Sequence, residues 1–497
     1  MTDLTFEHWR DRAAQARCEW PAFIGGRTAP AVSNKQFPMV NPATGKEWAR
    51  VAACDAADID LAVASARAAF EDRRWAGLKP AERKRILLRL ADLMRENREE
   101  LALLETLSVG KPIAQALGID LRAAPDAITY YAEACDKVYD QIAPTGDNDL
   151  ALIVKEPIGV VGVVVPWNFP LMMACWKLGP ALAAGNSVVV KPAEQSPLSA
   201  LRLGELAIEA GLPVGVLNIV PGFGETAGKA LGLHPDVDVI AFTGSTEVGK
   251  LFLIYSGQSN MKKVWLECGG KTPNIVMADC PDIDAAAATA VEGVFFNQGE
   301  MCTSASRLLV DRRIKDRFME GLLRHTKSWA PGNPLDPATV SGSLVSSGHM
   351  KTVLGYIASA REEGAQVAAG GDQVLRETGG AFVAPTLLDK VTPDMRVARE
   401  EIFGPVLSII EFDTEDEAIR IANSTIYGLG AAVWTSNLST AHRMSRRIKA
   451  GIVYVNCFDA DDITTPFGGY KQSGNGRDKS LHAIDKYTET KTVWIRI

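Results

Sequence analysis

Several things are missing from this 497-residue chain, and each absence removes a class of function. No uninterrupted apolar stretch approaches the length of a membrane-spanning helix, so no membrane partner is expected. The 53 lysines and arginines form no basic stripe and are outnumbered by 60 aspartates and glutamates, for a net charge of −7. Phosphate backbones attract the opposite balance, so a general nucleic-acid surface is excluded. The eight cysteines are scattered, with no CxxC pair and no Cys/His ligand spacing, so no metal is expected. The start, Met1-Thr2-Asp3-Leu4-Thr5-Phe6-Glu7-His8, is acidic and lacks the basic-then-apolar order of a secretory signal. Short-period repeats and low-complexity segments are absent too. What remains is a reduced, cytoplasmic enzyme.

What is present is ordinary in bulk: 47% hydrophobic and 23% charged residues, as in globular proteins. The length implies two or three domains. The first 30 residues read as a helix and then a small strand at Phe23-Ile24, and Asn41-Pro42-Ala43-Thr44-Gly45 as a turn. Helical spacing follows over 58–70, 80–105 and 120–131, where Leu87, Leu90 and Met94 suit a core. A strand-like run, Ala151-Leu152-Ile153-Val154-Lys155, then stands far from any obvious partner. From residue 159 strand and helix alternate with short connections, and after Gly269-Gly270 a second such series begins. That rhythm predicts parallel, doubly wound sheets, an α/β fold. The end, Lys491-Thr492-Val493-Trp494-Ile495-Arg496-Ile497, alternates like a strand that needs pairing.

One stretch stands out chemically: Phe295-Phe296-Asn297-Gln298-Gly299-Glu300-Met301-Cys302-Thr303-Ser304. A glycine-centred turn delivers Cys302 among small polar residues, where a nucleophile is presented rather than buried. Cys175, inside Leu171-Met172-Met173-Ala174-Cys175-Trp176, has the apolar setting of a structural cysteine. Two glycine signals compete for a dinucleotide. Gly222-Phe223-Gly224-Glu225-Thr226-Ala227-Gly228 imitates the usual fingerprint with one residue too many, and Gly244-Ser245-Thr246-Glu247-Val248-Gly249 joins a strand to a helix. Either alone would equally suit a plain turn. Taken singly, Lys191/Glu194 and Glu400/Glu401 read as solvated charges, Glu267 as a strand-end charge, and Asn168 as a turn residue.

Together these segments resemble the aldehyde dehydrogenase superfamily. The carriers are Pro166-Trp167-Asn168-Phe169-Pro170, Lys191-Pro192-Ala193-Glu194, Phe242-Thr243-Gly244-Ser245-Thr246 and Trp265-Leu266-Glu267-Cys268-Gly269-Gly270-Lys271. The cysteine stretch, Glu401-Ile402-Phe403-Gly404-Pro405 and Pro466-Phe467-Gly468-Gly469 complete the set, in the family's order from about Phe23 to the C-terminus.

The resemblance implies NAD-dependent oxidation of an aldehyde to the acid. Cys302 would be the nucleophile, Asn168 and the Cys302 backbone N–H the oxyanion donors, Glu267 the general base, and Lys177 a further catalytic residue. Ser245, Gly244 and Val248 would meet the pyrophosphate, Gly224 the adenine, and Lys191 and Glu194 the adenosine ribose. There the Glu194 carboxylate would repel a 2′-phosphate, so NAD is expected over NADP. Glu401 would hold the nicotinamide ribose, with Phe403, Val165 and Trp167 beside it. The resemblance also implies a cofactor domain at 1–139 and 158–268, a catalytic domain at 269–472, and an oligomerisation arm at 140–157 and 473–497 that makes a dimer or tetramer.

Within the family the loops around Cys302 and Asp462 are similar to aminoaldehyde members, such as γ-glutamyl-γ-aminobutyraldehyde and guanidinobutyraldehyde dehydrogenases. The resemblance puts residues 456–467 at the substrate tunnel mouth, where Asp459, Asp461 and Asp462, joined by Asp120, would attract a cationic tail. Trp176 and Phe467 would line the path. The expected substrate is an ω-amino, guanidino or γ-glutamylamino aldehyde of polyamine or arginine catabolism. Rival readings are a general or betaine-aldehyde dehydrogenase, a coenzyme A-acylating relative (which generally lacks Glu267), a cysteine hydrolase, for which no histidine lies near the motif, and a non-catalytic structural protein. Glu300 stands where glutamine is frequent and Cys268 where leucine is.

Overall fold

The computed structural model describes residues 4–497; residues 1–3, part of the segment read above as lacking a signal, lie outside the described residues. Two seven-stranded sheets carry the architecture. In the first, five parallel strands run in the order Lys263–Glu267, Val239–Thr243, Val160–Val164, Ser187–Lys191, Leu217–Ile219. Ala22–Ile24 and Arg27–Ala29 add an antiparallel edge. The Val160–Val164, Ser187–Lys191 and Val239–Thr243 strands are buried at every residue, which is why they are rich in β-branched residues without polar alternation. The parallel part of this sheet starts at Val160, winds one way to Ile219, then returns to lay Val239–Thr243 on Val160's other side. The winding reverses between those two strands, and ligands bind at the carboxyl ends of such a switch point.

The second sheet has six parallel strands in the order Thr386–Asp389, Val406–Phe412, Arg307–Asp311, Pro273–Val276, Gly430–Trp434, Ile452–Val455, with Gln366–Ala369 antiparallel at one edge. The alternation read from the sequence is therefore the α/β fold observed. The helix Ser347–Glu362 and the strands Gln366–Ala369 and Thr386–Asp389 lie in a stretch that carried no assignment.

Three other departures have local causes. The helical pattern over 80–105 is two helices, Pro80–Glu96 and Arg98–Val109. Asn97 leaves helical geometry between them, its side-chain amide donating back to the Leu93 carbonyl. The glycine signal at 222–228 opens a π-helical turn, Gly224–Gly228, ahead of the short helix Lys229–Leu233. The turn at Asn41 belongs to a hairpin of Gln36–Asn41 and Lys46–Ala52 that the sequence reading missed.

The isolated strand at 151–155 finds its partners in a third sheet. Asp149–Pro157 pairs with Gln141–Ala143 on one side and with the C-terminal strand Thr488–Arg496 on the other, Asp149 opposite Arg496 and Pro157 opposite Thr488. The terminal strand is an edge, and Val493, Trp494 and Ile495 are exposed on it.

The helix Pro170–Ala184 is buried almost all round, which its continuous apolar sequence requires. Pro170 begins it without losing a bond. The Glu105 carboxylate accepts the Leu171 N–H at 2.8 Å, fixing that start one turn from Asn168.

Candidate active site

A cavity of about 630 Å³ lies where the carboxyl ends of the first sheet face loops of the second. Pro166, Trp167 and Asn168 follow one switch-point strand, and Gly244 and Ser245 follow the other. Cys302, Glu401 and Phe403 come from the second half.

The loop that presents Cys302 is held by its own side chains. Asn297, Gln298 and Gly299 all take positive φ, at 47°, 57° and 73°. Conformations of that kind persist only where surroundings enforce them. The Gln298 Oε1 accepts the Gly342 N–H at 2.8 Å, and the Glu300 Oε1 accepts the Val345 N–H at 2.9 Å. A Cβ on Gly299 would sit 2.3 Å from the Gly404 carbonyl, so glycine is required there. The Asn168 amide donates to the Glu300 carbonyl at 2.8 Å, and the Asn297 amide donates to the backbone carbonyls of Asn168 and Glu300, both at 3.2 Å. Asn168 is thus tied to the backbone that leads into Cys302, with its second amide hydrogen uncommitted to that bond.

Gly269 and Gly270 let three segments meet. The Gly270 N–H donates to the Glu401 Oε1 at 2.9 Å, a Cβ on Gly269 would fall 2.0 Å from Glu401 Oε2, and one on Gly270 would fall 2.3 Å from the Cys302 carbonyl. Burial pushes the Glu401 carboxyl up to about 7, while the Gly270 N–H and the Lys271 charge pull it down. The Cys302 thiol is driven far above its ordinary range, first by burial and then by Glu401, Glu267 and Asp459, while the Thr303 N–H works the other way. At rest it is a thiol, and attack on a carbonyl needs a base.

Glu267 lies behind the cavity wall. It is 4% exposed, neither carboxylate oxygen accepts a hydrogen bond from the described residues, and a Cβ on Gly468 would be 2.7 Å from its Oε1. Burial, then the Asp478 charge, raises its carboxyl well above the usual range, against Lys486, Lys177 and Arg477. Lys177 is not on the wall either. It is buried and donates to Asp478 Oδ2 at 2.6 Å, and Lys486 pairs with the other oxygen of the same carboxylate. Lys177 therefore faces Asp478 and stands off the cavity lining.

The residues expected at a cofactor ring the same carboxyl edge. Lys191 ends the strand Ser187–Lys191, and its ammonium donates to Glu194 Oε2 at 3.3 Å. Val165 bonds through its N–H to the Lys191 carbonyl at 3.3 Å. Ser245 caps the helix Thr246–Gln258, its Oγ accepting the Val248 N–H at 3.2 Å. The other first-turn amides have no acceptor within the helix. Gly224 opens its π turn with no atom within 4 Å of a hypothetical Cβ. A donor beside an acceptor for vicinal hydroxyls and a helix N-terminus for phosphate match a dinucleotide at a switch point. Glu401 and Phe403 extend this row into the cavity, and Phe403, at φ 58°, meets the Trp167 ring edge-on at 5.3 Å. His349 holds that turn through a 2.7 Å contact with the Phe403 carbonyl.

The mouth differs from expectation. Trp176 and Phe467 do line the cavity, their rings 5.2 Å apart. Asp459 and Asp461 line it too, but Asp461 is paired with Lys479. Asp462 is off the wall, its carboxylate accepting from the Thr464 N–H and hydroxyl at 2.8 and 2.6 Å. Asp120 is a correction: it is fully buried, pairs with Lys111, and does not line this cavity. The π turn Ala116–Asp120 and the burial of Lys111 turn that acid inward, a pairing nine residues apart that helical periodicity does not reveal. Two charged wall residues were missed, Arg122 and Glu292. Glu292 interrupts the apolar, alanine-rich run of the helix Ile283–Phe295 well past its first turn, and an acid there was the available signal.

The family model described as the aldehyde dehydrogenase family matches residues 29–493. The NADP/NAD-dependent aldehyde dehydrogenase PuuC of Escherichia coli (strain K12) is 52% identical, covering 99% of this chain and 100% of its own. A crystal structure of an indole-3-acetaldehyde dehydrogenase complexed with NAD+ superposes with a TM-score of 0.98 at 57% identity, over 99% of this chain and 100% of that one. The γ-glutamyl-γ-aminobutyraldehyde dehydrogenase of Burkholderia cenocepacia J2315 gives 0.97 at 56%, with the same coverage.

Proposed function

The chain belongs to the aldehyde dehydrogenase family, and on that premise we propose that it oxidises an aminoaldehyde to the carboxylic acid, NAD serving as hydride acceptor. The observation that carries the reading is the convergence of Cys302, Asn168, Trp167 and Glu401 on one cavity at the switch point of the first sheet. Lys191 and Glu194 would hold the adenosine ribose, Ser245 and its helix the phosphates, and Glu401 the nicotinamide ribose. A carboxylate at Glu194 disfavours a 2′-phosphate, which supports NAD over NADP.

In the proposed sequence the Cys302 sulfur adds to the aldehyde carbon as its proton leaves to water, or to Glu267 once that side chain turns out from behind the wall. The carbonyl electron pair moves onto oxygen, where the Asn168 amide and the Cys302 N–H stabilise it. As the oxyanion re-forms its double bond, the hydride departs with its electron pair and a thioester remains on Cys302. Water then attacks the thioester carbon, Glu267 takes its proton, and the C–S bond breaks to return the sulfur and free the acid. A carboxyl held well above 4.5 by burial is a stronger base, once ionised, than a solvated one. Lys177, Asp478 and Lys486 form a buried charge group beside it that favours its ionised form only in part, since Asp478 opposes and the lysines assist.

The partition into a cofactor domain, a catalytic domain and an arm remains part of this reading, supported by the two seven-stranded sheets and the separate sheet that joins Asp149–Pro157 to Thr488–Arg496. So does a homo-oligomer joined through the arm, supported by the exposed apolar edge Thr488–Arg496. A cytoplasmic location accords with eight free cysteines.

One observation favours a second substrate reading. The Trp176–Phe467 pair and the Phe169–Phe296 pair, stacked at 6.5 Å, suit a flat aromatic aldehyde such as the indole-3-acetaldehyde named for the 57% identical structure. The test is a kcat/KM panel with NAD: 4-aminobutanal, indole-3-acetaldehyde and hexanal, with the acid identified and coenzyme A present or absent. Efficient 4-aminobutanal oxidation independent of coenzyme A is expected. A preference for either uncharged aldehyde, or a coenzyme A thioester product, would overturn the reading.

A further inference from the structure

We infer that Glu105 and Asp120 share one buried proton, and that this proton makes Glu105 a positioning residue for Asn168. The consequence for turnover rests on the oxyanion role proposed for Asn168; the proton itself is read from the scaffold.

The argument is a count of donors and acceptors. Glu105 is on the helix Arg98–Val109 and Asp120 ends the π turn Ala116–Asp120, two elements that pack together, and both side chains are buried. Glu105 Oε1 accepts the Leu171 N–H at 2.8 Å and the Ser199 hydroxyl at 3.2 Å. Asp120 Oδ2 accepts from the Lys111 ammonium. The second oxygen of each carboxyl, Glu105 Oε2 and Asp120 Oδ1, is buried without a donor among the described residues. The two carboxyls lie within hydrogen-bonding reach of each other. As two anions beside one lysine they would carry an uncompensated buried charge. One proton resolves both orphans: Glu105 Oε2–H donates to Asp120 Oδ1, and Asp120 with Lys111 stays a neutral ion pair.

Direct contact with Lys111 keeps Asp120 the anion, so Glu105 holds the proton. Burial and then the Asp120 charge push the Glu105 carboxyl up to about 8, against Lys111, the Leu171 N–H and the Ser199 hydroxyl. The titratable groups that face it are Asp120, Lys111 and, from the helix Pro170–Ala184, the Cys175 thiol, which burial and then the Glu105 charge keep protonated.

This cluster reaches both supports of Asn168. Leu171 is in the first turn of the helix that Asn168 leads into, and the Lys111 ammonium lies 3.9 Å from the Phe169 ring centre. The Lys111 charge also acts on the Glu300 carboxyl, and the Glu300 carbonyl accepts the Asn168 amide at 2.8 Å. Loss of the proton sets a second anion beside Asp120 with no second cation, and their repulsion pulls on the Leu171 anchor.

The experiment compares wild type, Glu105→Gln and Glu105→Ala. In Glu105→Gln the amide N–H can give Asp120 the same bond while its oxygen keeps Leu171 and Ser199. Infrared difference spectra between about pH 7 and about pH 9 should show wild type losing a carboxylic-acid C=O band that Glu105→Gln lacks. A carboxyl raised from 4.5 to about 8 on folding holds a proton that unfolding releases, so its stabilisation is lost as pH rises through that window. The Tm of Glu105→Gln minus that of wild type should therefore climb between about pH 5 and about pH 8 and level off above. Glu105→Ala, which strands the Leu171 N–H and Asp120 Oδ1, should melt below both. Wild-type kcat, taken relative to that of Glu105→Gln, should fall by up to about tenfold per pH unit above about 8, with KM for NAD less affected. A Tm difference constant with pH, or no band that Glu105→Gln removes, would overturn the shared proton. Parallel kcat profiles despite the band and the Tm trend would overturn the positioning role. A wild type that shows both but oxidises no aldehyde would uphold the shared proton and sink the Asn168 reading.

Discussion

Beneath the cavity, Lys111 and Asp120 are both buried and committed to each other; at its mouth the acids Asp459, Asp461 and Glu292 are exposed and divided between pairs and free groups. Asp120 and Asp461 make the contrast within one residue type. Asp120 is buried against Lys111, whose ammonium also lies 3.9 Å from the Phe169 ring centre, next to Asn168. Asp461 is paired with Lys479 while its side chain stays 55% exposed at the opening. The first pair shapes the scaffold beside Asn168; the second trims the charge at the opening. An aspartate near a cavity therefore signifies little until its lysine is found.

Mutations can break or sharpen that contrast. The floor should fail most completely through Cys302→Ala, which is expected to abolish aldehyde oxidation while calorimetry still detects NAD binding; residual turnover beyond a trace would remove Cys302 from the mechanism. Glu267→Gln should lower kcat by about 10²–10⁴, the usual contribution of a positioned base. Steady-state kinetics at wild-type rates would make Glu267 structural.

Asp120→Ala should destabilise the fold by about 3–5 kcal/mol, because it strands Lys111 in the interior. Asp461→Asn should cost less than Asp120→Ala, because water reaches the Asp461 side of its pair although Lys479 is buried, yet raise KM for 4-aminobutanal by leaving Lys479 uncompensated. Equal thermal shifts in the two variants would erase the distinction between floor and mouth.

The smallest effect is a pH dependence. Surrounding protein, then the Asp461 and Glu292 charges, push the Asp459 carboxyl above its ordinary range, to about 6, so its negative charge grows as pH rises through that region. The kcat/KM ratio of 4-aminobutanal to hexanal should rise as pH passes upward through about 6, and Asp459→Asn should flatten the rise. A ratio falling with pH would contradict the assignment.

Much of the floor was legible in the sequence because short contiguous segments encode it. Trp167 and Asn168 follow a buried strand, Ser245 caps the next helix, and Gly269-Gly270 is required by the approach of Glu401 and Cys302. The arm was half legible: the strands at 151–155 and 491–497 were visible, but their pairing joins residues more than 300 apart. The mouth was least legible. Arg122 lies two positions from Asp120, and only the helix's phase and the buried Lys111 decide which of them reaches the cavity. Lys479 and Asp461 are separated by 18 residues of irregular chain, so no periodicity links them. Glu267 was identified, but its place behind the wall, against Gly468, depends on a loop about 200 residues later.

The central claim is a covalent intermediate on Cys302 that Glu267 helps to hydrolyse. Its most direct test is to mix Glu267→Gln enzyme with NAD and 4-aminobutanal, quench in acid, and map adducts by peptide mass spectrometry. The account predicts an acyl adduct, heavier than the thiol peptide by the aminobutanoyl group, confined to the peptide containing Cys302 and dependent on NAD. Reduced nicotinamide formed with that peptide unmodified, or with the adduct on another cysteine such as Cys457, would contradict it.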